Sequence, residues 1–422
     1  MRRTVRAAGV GAVALALAGC WYAPGQGPDR AGHNPFETQI TAATVDDLTE
    51  QWTATTDEGA VQDPVVSKAG VHVVAGVSYY GFDTGDGGRM WKDEVPPDQA
   101  PFLSASPPIT DGDRVLLGRG FGNLGGSWTS EWLDAATGSS LAGPSYYGLA
   151  DSLRGSKVAL RSYSFGSLTP VASYLHVADL DDPAAGWSGL VQISDGSGTS
   201  AVTLGTTSVF QADYGVVSVA DPALPPYGNG VRAFPTTPPR RCGPNDVIVC
   251  PDWATPLPGG SSTVPVLGAG ESVLYTGTDA GTLYAVNAAT GAILWSAPVG
   301  AAVTATPALA DGVLHVPTAD GRVVALDGDG CGSATCNALW TASTGTGSAV
   351  RKQPAVAGGV VYTGSVDGGV HAFPAAGCGA ATCSPVWSAS TGSNITGAPA
   401  VTNGLLYVGT ADGRLIAYGL DD

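Results

Sequence analysis

The sequence predicts an all-β protein, an eight-bladed β-propeller built from four-stranded antiparallel blades. Glycine (61 residues) and proline (30) are abundant in the 422-residue chain, while charged residues make up only 13%. This composition favours many turns and few helices. A strand-rich unit repeats along the C-terminal half, and tryptophans recur at a fixed place in that unit. Internal repetition with these features is typical of propellers.

The repeating unit contains a hairpin in which two runs rich in Val, Leu and Tyr flank a tight turn, usually Asp-Gly. A strand that opens with proline precedes each hairpin, which is acceptable because the first residue of a strand needs no donor. A further turn and a strand bearing tryptophan follow, so that one unit supplies four strands. The four clearest hairpins span Glu271–Trp295, Asp311–Gly330, Gly358–Gly377 and Asn403–Gly419.

The tryptophan strands set the number of blades at eight. The last unit, from Ala398, reaches Asp422 without a tryptophan strand, whereas LTEQWTAT, around Trp52, precedes any complete unit. We therefore predict that the N-terminal strand completes the last blade, because this closure leaves no unpaired sheet edge at the seam. The eight positions are Trp52, Trp91, a degenerate position near Leu141, Trp187, Trp253, Trp295, Trp340 and Trp387.

The N-terminus has the features of an export signal. Three arginines within the first six residues precede an apolar run, Ala7–Ala18, that is too short to span a bilayer. The run ends in Leu17-Ala18-Gly19-Cys20, which resembles the bacterial lipobox, in which the cysteine is acylated. The alternative is an ordinary secretory signal with an incidental cysteine. We expect lipidation at Cys20 and an extracytoplasmic, membrane-anchored location.

Three regions follow from this interpretation. Residues 1–19 are predicted to be a lipoprotein signal peptide, residues 20–44 a lipid anchor and N-terminal tether, and residues 45–422 the propeller.

Six further cysteines form three close pairs. Outside the cytosol thiols are oxidised, which favours local disulfides. Zinc is the alternative, but the pairs are separated by seven, four and four residues and no histidine accompanies them. Each pair falls in the turn ahead of a tryptophan strand, so we expect the disulfides to hold enlarged outer turns. The predicted pairs are Cys242 with Cys250, Cys331 with Cys336, and Cys378 with Cys383.

The formal net charge of −17 makes nucleic acid and anionic lipid unfavourable partners. Solubility is the simpler explanation of this charge. We expect a monomer.

The segment Asn34–Thr38, followed by Val45, Leu48 and Trp52, and the pattern AxNxxTGxxxW over Ala285–Trp295 resemble the quinoprotein-type propeller family. The resemblance covers nearly the whole mature chain and implies that the tryptophans pack between blades. Some members are dehydrogenases that hold pyrroloquinoline quinone and calcium on the propeller axis, beneath a disulfide between adjacent cysteines. Others are noncatalytic lipoproteins that serve as scaffolds for envelope proteins.

No two cysteines are adjacent in this chain, so we assign no catalytic, cofactor-binding or metal-binding residue. The expected function is that of a membrane-anchored binding or scaffold lipoprotein that binds an envelope protein or polymer. The alternative is a pyrroloquinoline quinone-dependent dehydrogenase.

Other motifs carry less information. GFGNLG (Gly120–Gly125) fits a dinucleotide-binding pattern, but no helix follows it. The five histidines are scattered and are interpreted as strand residues. The aspartates that recur at hairpin turns are interpreted as turn residues; they are Asp279, Asp320, Asp367 and Asp412.

Two hairpin turns depart from the repeat. The segments Arg119–Trp128 and Arg161–Pro170 are longer and glycine-rich, and they offer arginine with aromatic residues, a composition typical of interface anchors. The alternative is that they are tolerated insertions without a role. The candidate binding rim comprises Arg119, Phe121, Trp128, Arg161, Tyr163 and Phe165.

Overall fold

The computed structural model describes residues 20–95, 103–121, 128–142, 146–164, 171–194, 198–214, 229–242 and 248–421. These residues form eight sheets arranged as the blades of a propeller, which confirms the predicted fold class and blade number. The only helical elements in the described ranges are short 3₁₀ turns at Val45–Asp47, Pro183–Ala185 and Ala269–Glu271. No helix among the described residues is long and apolar enough to cross a bilayer.

The strands follow one another in chain order from the inside of each blade to the outside. Two strands precede the first blade: β1 (His33–Asn34) and β2 (Thr49–Thr55). Blade 1 contains β3 (Val65–Val66), β4 (Val71–Ala75), β5 (Ser78–Phe82) and β6 (Arg89–Asp93). Blade 2 contains β7 (Leu103–Ala105), β8 (Ile109–Thr110), β9 (Arg114–Phe121), β10 (Trp128–Asp134) and β11 (Tyr146–Tyr147). Its inner edge is divided, because β7 and β8 both pair with β9.

Blades 3 and 4 share an extra hairpin. Blade 3 contains β12 (Leu149–Arg154), β13 (Lys157–Ser164), β14 (Val171–Asp179) and β15 (Trp187–Ser194). Blade 4 contains β16 (Gly198–Leu204), β17 (Ser208–Tyr214), β18 (Gly230–Pro235) and β21 (Trp253–Pro256). Between β18 and β21 lie β19 (Arg241–Cys242) and β20 (Ile248–Val249).

Blades 5 to 8 are the most regular. Blade 5 contains β22 (Val266–Leu267), β23 (Val273–Gly277), β24 (Thr282–Asn287) and β25 (Ile293–Pro298). Blade 6 contains β26 (Ala308–Ala310), β27 (Val313–Pro317), β28 (Arg322–Asp327) and β29 (Trp340–Ser343). Blade 7 contains β30 (Ala355–Ala357), β31 (Val360–Gly364), β32 (Gly369–Pro374) and β34 (Trp387–Ser390), with β33 (Thr382–Cys383) in a loop. Blade 8 contains β35 (Ala400–Thr402), β36 (Leu405–Gly409) and β37 (Arg414–Gly419).

The fourth strand of blade 8 is β2, as predicted. Strand β2 pairs antiparallel with β37, and Trp52 lies opposite Ala417. The two ends of the chain therefore share one sheet, and the ring closes by backbone hydrogen bonds between them.

Tryptophans on the outer strands fill the seams between blades. Trp295 of blade 5, 6% exposed, lies against Gly330 of blade 6, where an added Cβ would lie 2.7 Å from the indole. The same contact recurs at four other seams. The indole of Trp91 also donates a hydrogen bond of 2.8 Å to the carbonyl of Ala135 in the next blade. Each of these seams thus combines a large buried aromatic surface with a position that admits only glycine.

The three disulfides join the predicted cysteine pairs. Their loops do more than hold an enlarged turn, because each reaches the outer edge of the preceding blade. In blade 7, β33 pairs in parallel with β29 of blade 6, and β20 pairs likewise with β15 of blade 3. In blade 6, Thr335 bridges to Ser296 of blade 5. These disulfide loops therefore add hydrogen bonds between neighbouring blades.

Candidate functional site

The ring has two unlike faces. Loops that join the second and third strands of each blade lie at one end of the strands, and we call this end the tip face. Loops that join the first to the second strand and the third to the fourth lie at the other end, as antiparallel order requires. Residues 20–44 lie across this second end. We call that segment the strap and this end the strap face.

The strap contacts the inner strand of every blade. It was predicted to be a tether, but in the structure it is held against the ring through much of its length. Its backbone exchanges hydrogen bonds of 2.8 and 2.9 Å between Trp21 and Val66 of blade 1. The remaining contacts are Tyr22 with Thr110 (blade 2), Pro28 with Ser152 (blade 3) and Leu204 (blade 4), Asp29 with Leu267 (blade 5), Ala31 with Leu309 (blade 6), Gly32 with Val356 (blade 7) and Asn34 with Val401 (blade 8).

Arg30 is a buried cation of the strap. Its side chain is 5% exposed and donates hydrogen bonds to the carbonyls of Pro24, at 2.7 Å, and Asp151. Gln353 of blade 7 donates in turn to the Arg30 carbonyl at 2.6 Å. Burial lowers the pKa of Arg30, and the Asp151 carboxylate opposes this effect. The guanidinium thus connects the strap to blade 3, and the backbone of the same residue connects it to blade 7.

Cys20 lies at the start of the strap, next to the Trp21 pairing with blade 1. It is buried, and burial raises the pKa of its thiol. Lys68 and Asp113, which form an ion pair of 2.9 Å in the loops of blades 1 and 2, are its charged neighbours. One peptide bond therefore separates the predicted lipidation site from a residue hydrogen-bonded to the ring.

The candidate rim is only partly a free surface. Arg119 forms an ion pair of 2.5 Å with Asp93 of blade 1 and donates to the carbonyl of Val77 at 3.3 Å. Its guanidinium carbon lies 4.9 Å from the centroid of the Tyr79 ring. The Arg119 side chain is only 18% exposed, and its contacts link blade 2 to blade 1 next to the tip.

Arg161 has a similar place in blade 3. It forms a two-pronged ion pair with Asp151 of the inner strand, and the side chains are 14% and 5% exposed. Blade 4 also has a buried ion pair, between Arg232 of β18 and Asp213 of β17, with both side chains 4% exposed. Burial raises the pKa of Asp213, while Arg232 acts in the opposite direction. These buried pairs fix strand positions and leave little charge available to a partner.

The aromatic members of the rim lie at the margins of what the structure describes. Phe121 ends β9, Trp128 begins β10 and Tyr163 lies near the end of β13, and only their backbones are described. Phe165 lies outside the described residues. Phe121, Trp128 and Tyr163 belong to the tip end of their strands.

The aspartates at the tips of the regular blades have local partners. In blade 8, Asp412 accepts hydrogen bonds from Arg414 at 2.9 Å and Thr410 at 2.6 Å, and these contacts lower its pKa. Blade 6 repeats this arrangement with Asp320, Arg322 and Thr318. These residues stabilise tight turns, as predicted.

The calcium ion of a quinone site would need a cluster of ligating side chains. No group of three or more His, Cys, Asp or Glu side chains among them is placed to hold a metal. Four of the histidines are buried or nearly so, and burial lowers the pKa of His72 to about 3 and that of His176 to about 4. A groove of about 400 Å³ on the strap face contains Asp29, Asp311 and Asp329 without bringing them together as ligands. The described part of the chain therefore brings together no set of side chains that would ligate the calcium ion.

The chain belongs to the family whose sequence profile is described as outer membrane protein assembly factor BamB, which matches residues 37–143, 251–376 and 330–422. No curated protein matches it. BamB from Moraxella catarrhalis superposes with a TM-score of 0.58 at 18% identity, over 88% of this chain and 99% of that one.

Oxidoreductases share the same fold. A quinohemoprotein alcohol dehydrogenase, ADHIIG from Pseudomonas putida HK5, superposes with a TM-score of 0.72 at 15% identity, over 98% of this chain and 82% of that one. A europium-containing methanol dehydrogenase superposes with a TM-score of 0.63 at 14% identity, over 96% of this chain and 98% of that one. At these identities the superpositions establish a common fold and leave the function open.

Proposed function

We propose that this protein is an extracytoplasmic, lipid-anchored scaffold whose tip face binds a protein or polymer of the cell envelope. The observation that carries the proposal is membership of the family described as outer membrane protein assembly factor BamB. The family name refers to an assembly factor, and from it we infer a role in binding other proteins. The lipobox-like sequence at Cys20 and the three disulfides support a location outside the cytosol.

The ring itself supports a binding role. Its closure through β2 and its strap provide a rigid frame, and loops on a rigid frame are where binding residues concentrate. Blades 6 and 8 carry the same four-residue tip, Thr-Ala-Asp-Gly, at 318–321 and 410–413. Blades 2 and 3 have longer tips, and Arg119 and Arg161 hold the strands beneath them. The strands that lead into these two tips are therefore held by ion pairs.

The test replaces residues 122–127 and 165–170 with Thr-Ala-Asp-Gly, the tip that this chain already uses in blade 6. The exchange keeps Arg119 and Arg161, so the ion pairs beneath the tips remain. Proteins captured from membrane extracts by the native and exchanged chains are then compared. We expect specific partners to be lost on the exchange, and equal recovery would contradict a binding role for these two tips.

The control is an exchange within the regular half of the ring. Replacing the tip of blade 7, 365–368, with Thr-Ala-Asp-Gly should leave recovery unchanged, because this tip is already short. A circular dichroism spectrum and melting temperature of each chain would verify that the ring is folded.

The alternative, a quinone-dependent dehydrogenase, makes a separate prediction. Added pyrroloquinoline quinone with calcium would give a bound absorption band and calcium-dependent reduction of a dye. A spectrum without this band and no dye reduction would remove the alternative, whichever way the capture experiment turns out.

A further inference from the structure

Among the residues whose side chains the structure describes, most of the exposed large apolar ones lie at the strap end of the strands. Seven large apolar residues in the described part of the chain are 37% exposed or more. Tyr147 lies opposite Thr129, near the tip end of β10. The other six lie at the strap end of the strands: Phe36, Leu141, Ile293, Leu294, Leu339 and Val386.

The six positions share a structural reason for lying at this end. Ile293 and Leu294 begin β25, and Leu339 and Val386 directly precede β29 and β34. Outer strands start where the loop from the third strand arrives, which is the strap face. Phe36, 49% exposed, belongs to the strap itself.

Single exposed apolar residues are ordinary on a protein surface. Here two independent features coincide, because the face with the exposed apolar side chains also carries Cys20. Trp21 is already hydrogen-bonded to Val66, so an acyl group on Cys20 has no flexible linker. Any lipid attached there would hold the strap face next to the bilayer surface.

We propose that the strap face lies against the lipid headgroups, with the six apolar side chains in contact with the interface and the tip face directed away from the membrane. This inference rests on the proposed lipid anchor. Cys20 fixes the side of blades 1 and 2, and the apolar residues of blades 5 to 7 make contact on the other side of the axis. Contacts on both sides of the axis would fix the orientation of the propeller relative to the membrane, whereas a single anchor would let the propeller tilt.

The charge of this face selects the kind of lipid. Acidic side chains occupy several of its loops, among them Asp83, Asp134, Asp327 and Asp329. Anionic headgroups would be repelled, so the contact favours zwitterionic lipid. The proposed surface is therefore phosphatidylcholine-like or phosphatidylethanolamine-like.

The experiment measures the depth of the two ends of a single strand. Ala269 and Ala280 are both exposed and lie just beyond opposite ends of β23, which spans about 16 Å. Ala269→Cys and Ala280→Cys, each labelled with bimane in the lipidated full chain, are bound to phosphatidylcholine vesicles containing a headgroup spin-labelled lipid. We expect quenching at position 269 to be at least about twofold stronger than at position 280, given this separation.

The outcomes separate this inference from the proposed anchor. Flotation with vesicles but equal quenching at both positions, or stronger quenching at position 280, would overturn the orientation and leave the anchor intact. Failure to float would overturn both.

A second variant tests the apolar contact directly. Ile293→Ser with Leu294→Ser should reduce the quenching at position 269 while flotation persists, whereas Tyr147→Ser should change neither. Adding phosphatidylglycerol should also reduce the quenching. Unchanged quenching in the double variant would refute the role of the apolar residues, and concentration-dependent association of the chain in place of vesicle contact would assign this face to a second copy.

Discussion

The seam between blades 5 and 6 gives a sharp test of the tryptophan packing. Gly330 has φ of +84° and Gly312, in the same blade, has φ of +79°. A Cβ at Gly330 would lie 2.7 Å from the Trp295 indole, whereas a Cβ at Gly312 would meet nothing within 4 Å. Both Gly→Ala substitutions carry the cost of left-handed backbone, about 1–2 kcal/mol. Only Gly330→Ala adds the cost of displacing the indole, about 1–3 kcal/mol.

The assay is the melting temperature by calorimetry. For a chain of this length the unfolding entropy is roughly 0.9 kcal/mol per degree, which converts a loss of stability into a shift of melting temperature. The added cost at Gly330 should therefore place the melting temperature of Gly330→Ala about 1–3 °C below that of Gly312→Ala. Adding Trp295→Leu should remove most of that difference, because the smaller side chain leaves room for the methyl group. Equal melting temperatures for the two alanine variants would show that the indole does not occupy the seam as described.

Three further perturbations test the disulfides, the strap and the buried histidines. Replacing Cys331 and Cys336 together with serine should lower the free energy of unfolding by about 2 kcal/mol or less, since the closed loop is short. A larger loss in calorimetry would show that the fold depends on this disulfide. Arg30→Ala leaves two buried carbonyls without donors and should cost about 2–4 kcal/mol, and an unchanged melting temperature would refute the strap contacts. Burial lowers the pKa of His72 to about 3 and that of His315 to about 4. As the pH falls below 6.5, these histidines are therefore protonated in the unfolded chain while they stay neutral in the folded chain, and the folded state loses stability. At pH 5 each should remove roughly 2 kcal/mol, and a melting temperature that stays constant from pH 7 to pH 5 would contradict this.

The repeat makes the ring predictable from the sequence. The repeated hairpins and the tryptophan positions are enough to predict eight blades. The incomplete last unit and the early position of Trp52 are enough to predict that the N-terminal strand completes blade 8. These features are local, because each blade is a meander of neighbouring strands. The cysteine pairs are predictable for the same reason.

The strap and the rim were harder to predict because their contacts are distant in sequence. Residues 20–33 have no periodicity, so their glycines and prolines indicate a tether, yet Arg30 meets Asp151 and Gln353 from far along the chain. An isolated arginine in a segment otherwise poor in positive charge is the one signal that could have suggested a buried partner. Likewise, sequence alone could not show that Arg119 and Arg161 are already paired with Asp93 and Asp151.

The strap also determines how a mechanical force on the proposed anchor would be transmitted to the ring. Chain tension applied at Cys20 would reach Trp21 first, and from there the hydrogen bonds of the strap continue to all eight blades before the chain arrives at β2. The closing strand is therefore not the first element to be pulled. Strand β2 closes the ring by pairing with β37, so a direct pull on β2 would act on this seam. A strap that engages every inner strand distributes the load, which explains physically why this segment is fixed to the ring and does not hang from it.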